Sequence, residues 1–205
     1  PGLSDAMDLA KMLAVLELIQ PLASADFRIW RQTRTGLLSH PLNVAAARAH
    51  LAASIYLQMA LRPDIIHIVG HTEADHAATA DDVIEASIMA RRAIENALRG
   101  QPDMSYDPTI IRQKNFLISE AKVTLEAIRV LGKGKPGDPF LDAETLSQAV
   151  TEGILDAPQL KNNRYGRGAI RTQIIGGACM AIDTEKQPIS EQKRLQKFLS
   201  GRNSQ

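Results

Sequence analysis

Cysteine is almost missing from this chain: Cys179 is the only one in 205 residues, so no intramolecular disulfide can form and a reducing, cytoplasmic setting is expected. Aromatic residues are scarce at 4%, which points to packing through Ala, Leu and Ile rather than through rings. Charge of one sign is missing too. With 24 Lys and Arg against 23 Asp and Glu, no field is available to gather nucleic acid or anionic lipid, and neither partner is expected. No apolar run is long enough for a membrane span, and nothing resembles a secretory signal. The chain starts at Pro1 and goes almost at once into a helical pattern, which reads as a piece of a longer polypeptide.

What is present is an alternation of helical and strand-like segments. Leu9, Met12, Leu13, Leu16 and Ile19 recur at spacings of three and four from Asp5 to about Leu22, with Pro21 near the close. The short β-branched and aromatic run Asp26–Arg31 predicts a strand, with Gln32–Gly36 as the polar turn after it. Asn43 can cap the next helix, which runs to about Leu61; its Ala45, Ala49, Ala52, Ala53 and Ala60 suit close approach to a sheet. Asp64–Val69 (DIIHIV) predicts a buried parallel strand. Thr79 and Asp82 approximate a capping box for a helix carrying Val83, Ile84, Ser87, Ile88, Arg91, Ile94 and Leu98, which stops at Gly100.

Past Gly100 the pattern changes. One long helix is predicted over Pro108–Leu131, then a Gly/Pro/Lys linker over Gly132–Pro139, then a short helix near Ala143–Gly153. The runs Ile170–Ile175 and Ala178–Ile182, broken by Gly176 and Gly177, predict a hairpin. Ser190 caps a last basic helix to about Leu199, with Lys193, Arg194 and Lys197 on its wet face. The expected fold is α/β: the C-terminal βα units of a TIM-type barrel over 1–106, then a mainly helical C-terminal extension with a short β-hairpin over 107–205. Exposed strand edges in such a piece call for an oligomer or for more chain.

Ligands of parallel α/β folds bind beyond the carboxyl ends of the strands. Gly70-His71-Thr72-Glu73-Ala74-Asp75-His76 occupies that position and supplies acid, base, donor and acceptor within a few residues. The alternative is a solvated helix start, with Glu73 and Asp75 complementing the dipole. Arg31 and Arg34, at the end of the first strand, could hold a substrate carboxylate or phosphate. If the two strands are parallel, both loops open on one side. His71, Glu73, Asp75 and His76 match none of the helix-borne zinc spacings. His67 reads as a core or inward-facing histidine and Cys179 as buried and inert; His40 and His50 carry no assignment.

The string DIIHIVGHTEADHAATADDVIEASIMARRAI, within about Phe27–Asp107, resembles the late barrel portion of the catalytic subunit of coenzyme-B12-dependent glutamate (methylaspartate) mutases. GILDAP at 153–158 and GGACMAID at 176–183 are similar to the C-terminal extension of such barrels. The resemblance implies an isomerase acting by radical rearrangement on a small amino or carboxylic acid, with adenosylcobalamin as cofactor. It implies that Glu73 binds the cofactor's ribose or positions the substrate, and that His71 stands where the family has a basic residue. Thr72, Asp75 and His76 are then cofactor-side residues. The family's substrate-carboxylate arginines lie mostly on earlier strands, so Arg31 and Arg34 cannot be equated with them. The Asp-x-His-x-x-Gly cobalamin-ligand motif is not in this chain, which implies a partner subunit or domain that binds cobalamin. Two other readings stay open: a metal-assisted barrel aldolase or hydrolase using the 71–76 loop, and a non-catalytic assembly module.

Overall fold

The computed structural model describes residues 4–36 and 40–200; Pro1, the starting residue noted above, lies outside them. The chain divides into two compact units, Pro1–Asn115 and Phe116–Gln205. Among the described residues no closed barrel is present and no helix is long and apolar enough to cross a membrane.

The first unit is built from α1 (Asp5–Ile19), β1 (Gln32–Arg34), α2 (Val44–Gln58), β2 (Ile65–His67), α3 (Ala80–Leu98) and the start of α4 (Pro108–Leu131). Each early helix begins where a side chain satisfies an orphan amide: Ser4 accepts from Met7, Asn43 from Ala46, and Thr79 and Asp82 form a reciprocal capping box. β1 and β2 pair in parallel, Gln32 with Ile65, Thr33 with Ile66 and Arg34 with His67.

The first strand lies later than its β-propensity suggests. Phe27 and Trp30 of the Asp26–Arg31 run are half exposed, and the strand occupies the segment expected to be a polar turn. The reason is the ladder partner. Asp64 takes the Arg31 amide on its carboxylate at 2.8 Å, while the Arg31 carbonyl accepts from the Asp64 and Ile65 amides at 2.8 and 3.1 Å. That anchor starts the pairing at Gln32, because β-propensity expresses packing on a pleated surface and not an autonomous backbone preference. The second strand is shorter than Asp64–Val69 and less buried than expected. Ile65 and His67 are exposed on the face opposite α2 and α3, so His67 is not a core residue.

The core of this unit contains one cluster of Leu51, Ile55, Ala86, Ala90 and Ala93, with Ile66 and Ile68 packed against it, and another of Leu9, Ala10, Leu57, Leu61 and Ile110. α3 therefore turns its alanines inward and leaves Val83, Ile84 and Ile88 exposed, the reverse of the face its larger apolar residues suggest. On α2 likewise, Ala45, Ala49 and Ala53 are exposed, and Ala47, Leu51, Ser54 and Ile55 face inward.

The second unit holds the rest of α4, α5 (Ala143–Thr151), the antiparallel hairpin β3 (Arg171–Ile175) and β4 (Ala178–Ile182), and two short helices, α6 (Glu191–Arg194) and α7 (Gln196–Leu199). The hairpin turns through Gly176 and Gly177, both at positive φ (56° and 82°), as a two-residue turn requires. Ser190 caps the last helical segment as expected, but Leu195 interrupts it. Leu195 is fully buried with Ala127, Ile128, Ala149 and Ile154. Cys179 is exposed on β4 and not buried. Arg194 is not on a wet face: its guanidinium pairs with Glu191 and donates to the Gly153 and Ile154 carbonyls at 2.7 and 2.8 Å.

Candidate functional site

β2 ends at His67, Val69 and Gly70 are buried, and the chain then makes consecutive turns: Glu73 N–H reaches the Gly70 carbonyl at 3.2 Å, and the Asp75 and His76 amides reach the Thr72 carbonyl at 2.9 and 3.0 Å. These turns divide the loop. His71 and Thr72 point inward, whereas Glu73, Asp75 and His76 are exposed.

His71 has a side chain only 1% exposed, with Nε2 3.4 Å from Glu85 Oε2. Glu85, on α3, is gripped by Arg48 of α2 through Nε at 2.8 Å and Nη2 at 2.9 Å. The bidentate guanidinium fixes the carboxylate, and the carboxylate faces the Nε2 side of the ring. His71 Nδ1 and Thr72 Oγ1 are then buried without a protein partner. His40, in the loop that follows β1, is also buried with both ring nitrogens unpartnered, and its ring stands edge-on to His50 at 5.2 Å. Burial holds the His40 imidazole below its ordinary value; His50 and His71 push the same way and Glu73 opposes them.

The two loops that follow β1 and β2 thus leave the same edge of a parallel pair and bring imidazoles close enough to interact. Sequence reading missed His40, His50, Arg48 and Glu85. Only the helix positions of Arg48 and Glu85, on neighbouring elements, could have hinted at a pair.

Glu73 is exposed, and one carboxylate oxygen accepts the Gly70 amide at 2.6 Å. Asp75 and His76 satisfy one another at 3.0 Å, and His76 also faces Asp82 at 3.4 Å. These hydrogen bonds, with Asp75 first and Asp82 next, raise the His76 imidazole above its ordinary value. His76 therefore serves the start of α3. Among the described residues no three His, Cys, Asp or Glu side chains are grouped to hold a metal ion, so the metal-assisted arrangement of 71, 73, 75 and 76 does not form.

The two arginines part company. Arg31 precedes β1 at the amino end of the sheet, with Nε 3.4 Å from Asp64 and Nη1 3.4 Å from the Leu61 carbonyl, so it clamps the strand pair and does not stand at the ligand-binding edge. Arg34 ends β1 and lines a cavity of about 250 Å³ with Lys11, Asp8 and Gln58.

A pH prediction follows from His40. Its folded value lies below its unfolded one, so the unfolded chain binds more protons below about pH 6.5, and stability is lost as pH falls through that range. His76, whose value is raised, gains stability over the same window, so the His40 contribution is read by difference: between about pH 7.5 and 5 the urea midpoint of a His40→Gln variant is expected to fall less than that of the unaltered chain.

Compared with known proteins, the chain matches no family model and no curated sequence.

Proposed function

We propose that the first unit is the late part of a TIM-type barrel, and that the chain takes part in a cytoplasmic, cobalamin-dependent isomerisation of a small amino or carboxylic acid. The observation that carries this reading is the parallel β1–β2 ladder, with a buried imidazole bearing an unpartnered nitrogen after each strand, His40 and His71. The resemblance of the 64–94 string to the mutases supplies the reaction class. Further support comes from surfaces that more βα units would cover: the exposed Ile65 and His67 face of the sheet, and the exposed Val83, Ile84 and Ile88 on α3.

Glu73 is the group placed to meet a ribose, its exposed carboxylate offering an acceptor, while the unpartnered Thr72 Oγ1 and His71 Nδ1 lie on the inward side of the loop. When bound with its partner subunit, adenosylcobalamin supplies the radical chemistry. The chain's own work is positional. Arg48 and Glu85 hold His71 against the unit, and Glu73 accepts hydrogen bonds from ligand hydroxyls. Arg34, lining a cavity in which Lys11 is paired with Asp8, supplies positive charge for a substrate carboxylate. Asp75 and His76 act by holding the start of α3.

The test is absorbance and turnover after mixing the whole protein with adenosylcobalamin and its cobalamin-binding partner. The expected result is a cobalamin spectral change, with turnover lowered about 10²-fold by Glu73→Gln. Unchanged turnover in Glu73→Gln and His71→Ala would favour the assembly module instead, and no spectral change in the unaltered protein would defeat the cobalamin reading.

A further inference from the structure

The second unit contains a cavity of about 460 Å³ between the exit of α5, the open end of the hairpin and the final helices. Four cations line it: Arg167, Arg171, Arg194 and Lys197. Three carboxylates line it as well, and each accepts hydrogen bonds from groups other than these cations. Asp156 accepts four main-chain amides, from Ala157, Gly168, Ala169 and Ile170, at 2.7–3.0 Å. Asp183 Oδ1 accepts the Glu185 and Gln187 amides, each at 2.9 Å. Glu152 accepts from the Gln148 side chain at 2.6 Å.

Arg167 and Arg171 are fixed by backbone carbonyls and not by acids. Arg167 Nη1 donates to the Glu152 carbonyl at 2.9 Å, and its stem lies across Gly153, where a Cβ would come within 2.9 Å of Arg167 Cδ. Arg171 Nη2 donates to the Asp183 carbonyl at 2.5 Å. Among the described residues neither arginine, nor Lys197, makes an ion pair with a carboxylate. Arg194 is different, its donors being taken by Glu191 and two carbonyls. Ile170, Ile182, Ile189 and Phe198 give the cavity an apolar side.

We propose that this cavity binds a phosphorylated small molecule, with Arg167, Arg171 and Lys197 holding the phosphate oxygens and the isoleucines receiving its apolar part. Guanidinium forks match phosphate geometry, and neither Arg167 nor Arg171 is tied to a described carboxylate by an ion pair, although Asp183, held below its ordinary value first by the Gln187 amide, is held there in part by the nearby charge of Arg171. The volume lies within the range of small-molecule sites. The site is independent of the mutase reading, since every residue in it belongs to the second unit.

Isothermal titration of the whole 205-residue chain with inorganic pyrophosphate at low salt tests the proposal. Saturable one-to-one binding is expected, weakened about tenfold or more in Arg167→Gln/Arg171→Gln, as loss of charge-assisted hydrogen bonds requires. Removing equal charge on α4, in Arg112→Gln/Arg129→Gln, is expected to leave it unchanged. Arg171→Lys, which keeps the charge and loses the fork, is expected to weaken binding by less than Arg171→Gln and covers the case in which the double variant fails to fold. The absence of saturable binding to the unaltered chain, or equal losses in the two double variants, would overturn the assignment.

Discussion

Replacing Gly168 with alanine is expected to unfold the second unit's hairpin region while leaving the first unit folded. Gly168 sits at φ +58°, and a Cβ there would lie 1.9 Å from the Lys161 nitrogen, 2.3 Å from its Cα and 2.4 Å from the Leu160 carbonyl carbon. All three are backbone atoms, so no side-chain rotation relieves the overlap. Separating the two segments would also detach the Gly168 amide from Asp156 at 2.7 Å and disturb the neighbouring Ala169 and Ile170 bonds. A loss above about 4 kcal/mol is expected, in the exceptional range for single substitutions. Gly134 is the control. It also has positive φ (+91°), but nothing lies within 4 Å of its Cβ position, so alanine there should cost only the backbone strain, about 1 kcal/mol. Hydrogen exchange followed by mass spectrometry reads both: amides of 168–182 lose protection in Gly168→Ala and keep it in Gly134→Ala. Equal behaviour of the two variants would contradict the packing described around Asp156.

The second large effect is expected at Leu51. It is fully buried against Ile55 and the Ala86, Ala90 and Ala93 stripe of α3. With Ile55, Leu51 is the largest fully buried side chain in this cluster, and its removal opens a cavity there, so Leu51→Ala should cost about 2–5 kcal/mol. Ile88→Ala should cost little, within about 0.5 kcal/mol, because Ile88 is 65% exposed. The contrast matters because the amino-acid pattern of α3 points the other way, toward a core built on Ile84, Ile88 and their neighbours. Urea denaturation with a constant slope and a lowered midpoint for Leu51→Ala, but not for Ile88→Ala, is the expected outcome.

These two cases also mark what was legible in the amino-acid sequence. Local chemistry could be read directly. Asn43, Thr79 with Asp82 and Ser190 cap helices because their side chains reach amides two or three residues on, and Gly176-Gly177 makes a tight turn because only glycine takes that backbone without penalty. Packing could not be read in the same way. Alanine carries little hydropathy signal, so the inward face of α3 was hidden behind larger residues on its outward face. The first strand was displaced because its bounds depend on the Asp64 carboxylate, some thirty residues away, taking the Arg31 amide at 2.8 Å.

The candidate site divides along the same line. A polar loop after a parallel strand was legible; which of its side chains turn inward was not. His71 turns inward because a carboxylate on α3 and a guanidinium on α2 receive it, and neither is its neighbour in the chain. His40 reaches the same region from the other loop only because β1 and β2 are parallel. Arg31, grouped by sequence with Arg34, proves to sit at the opposite end of the strand.

The inward turn of His71 is the physical feature on which the proposed site rests, and carbethoxylation of histidines followed by mass spectrometry tests it most directly. With the side chain of His71 1% exposed and that of His76 48% exposed in the same loop, His76 should be modified rapidly while His71 stays protected until the unit unfolds. Modification of His71 at the rate of His76 in the folded protein would mean that its imidazole stands in water, and the site built on it would not exist.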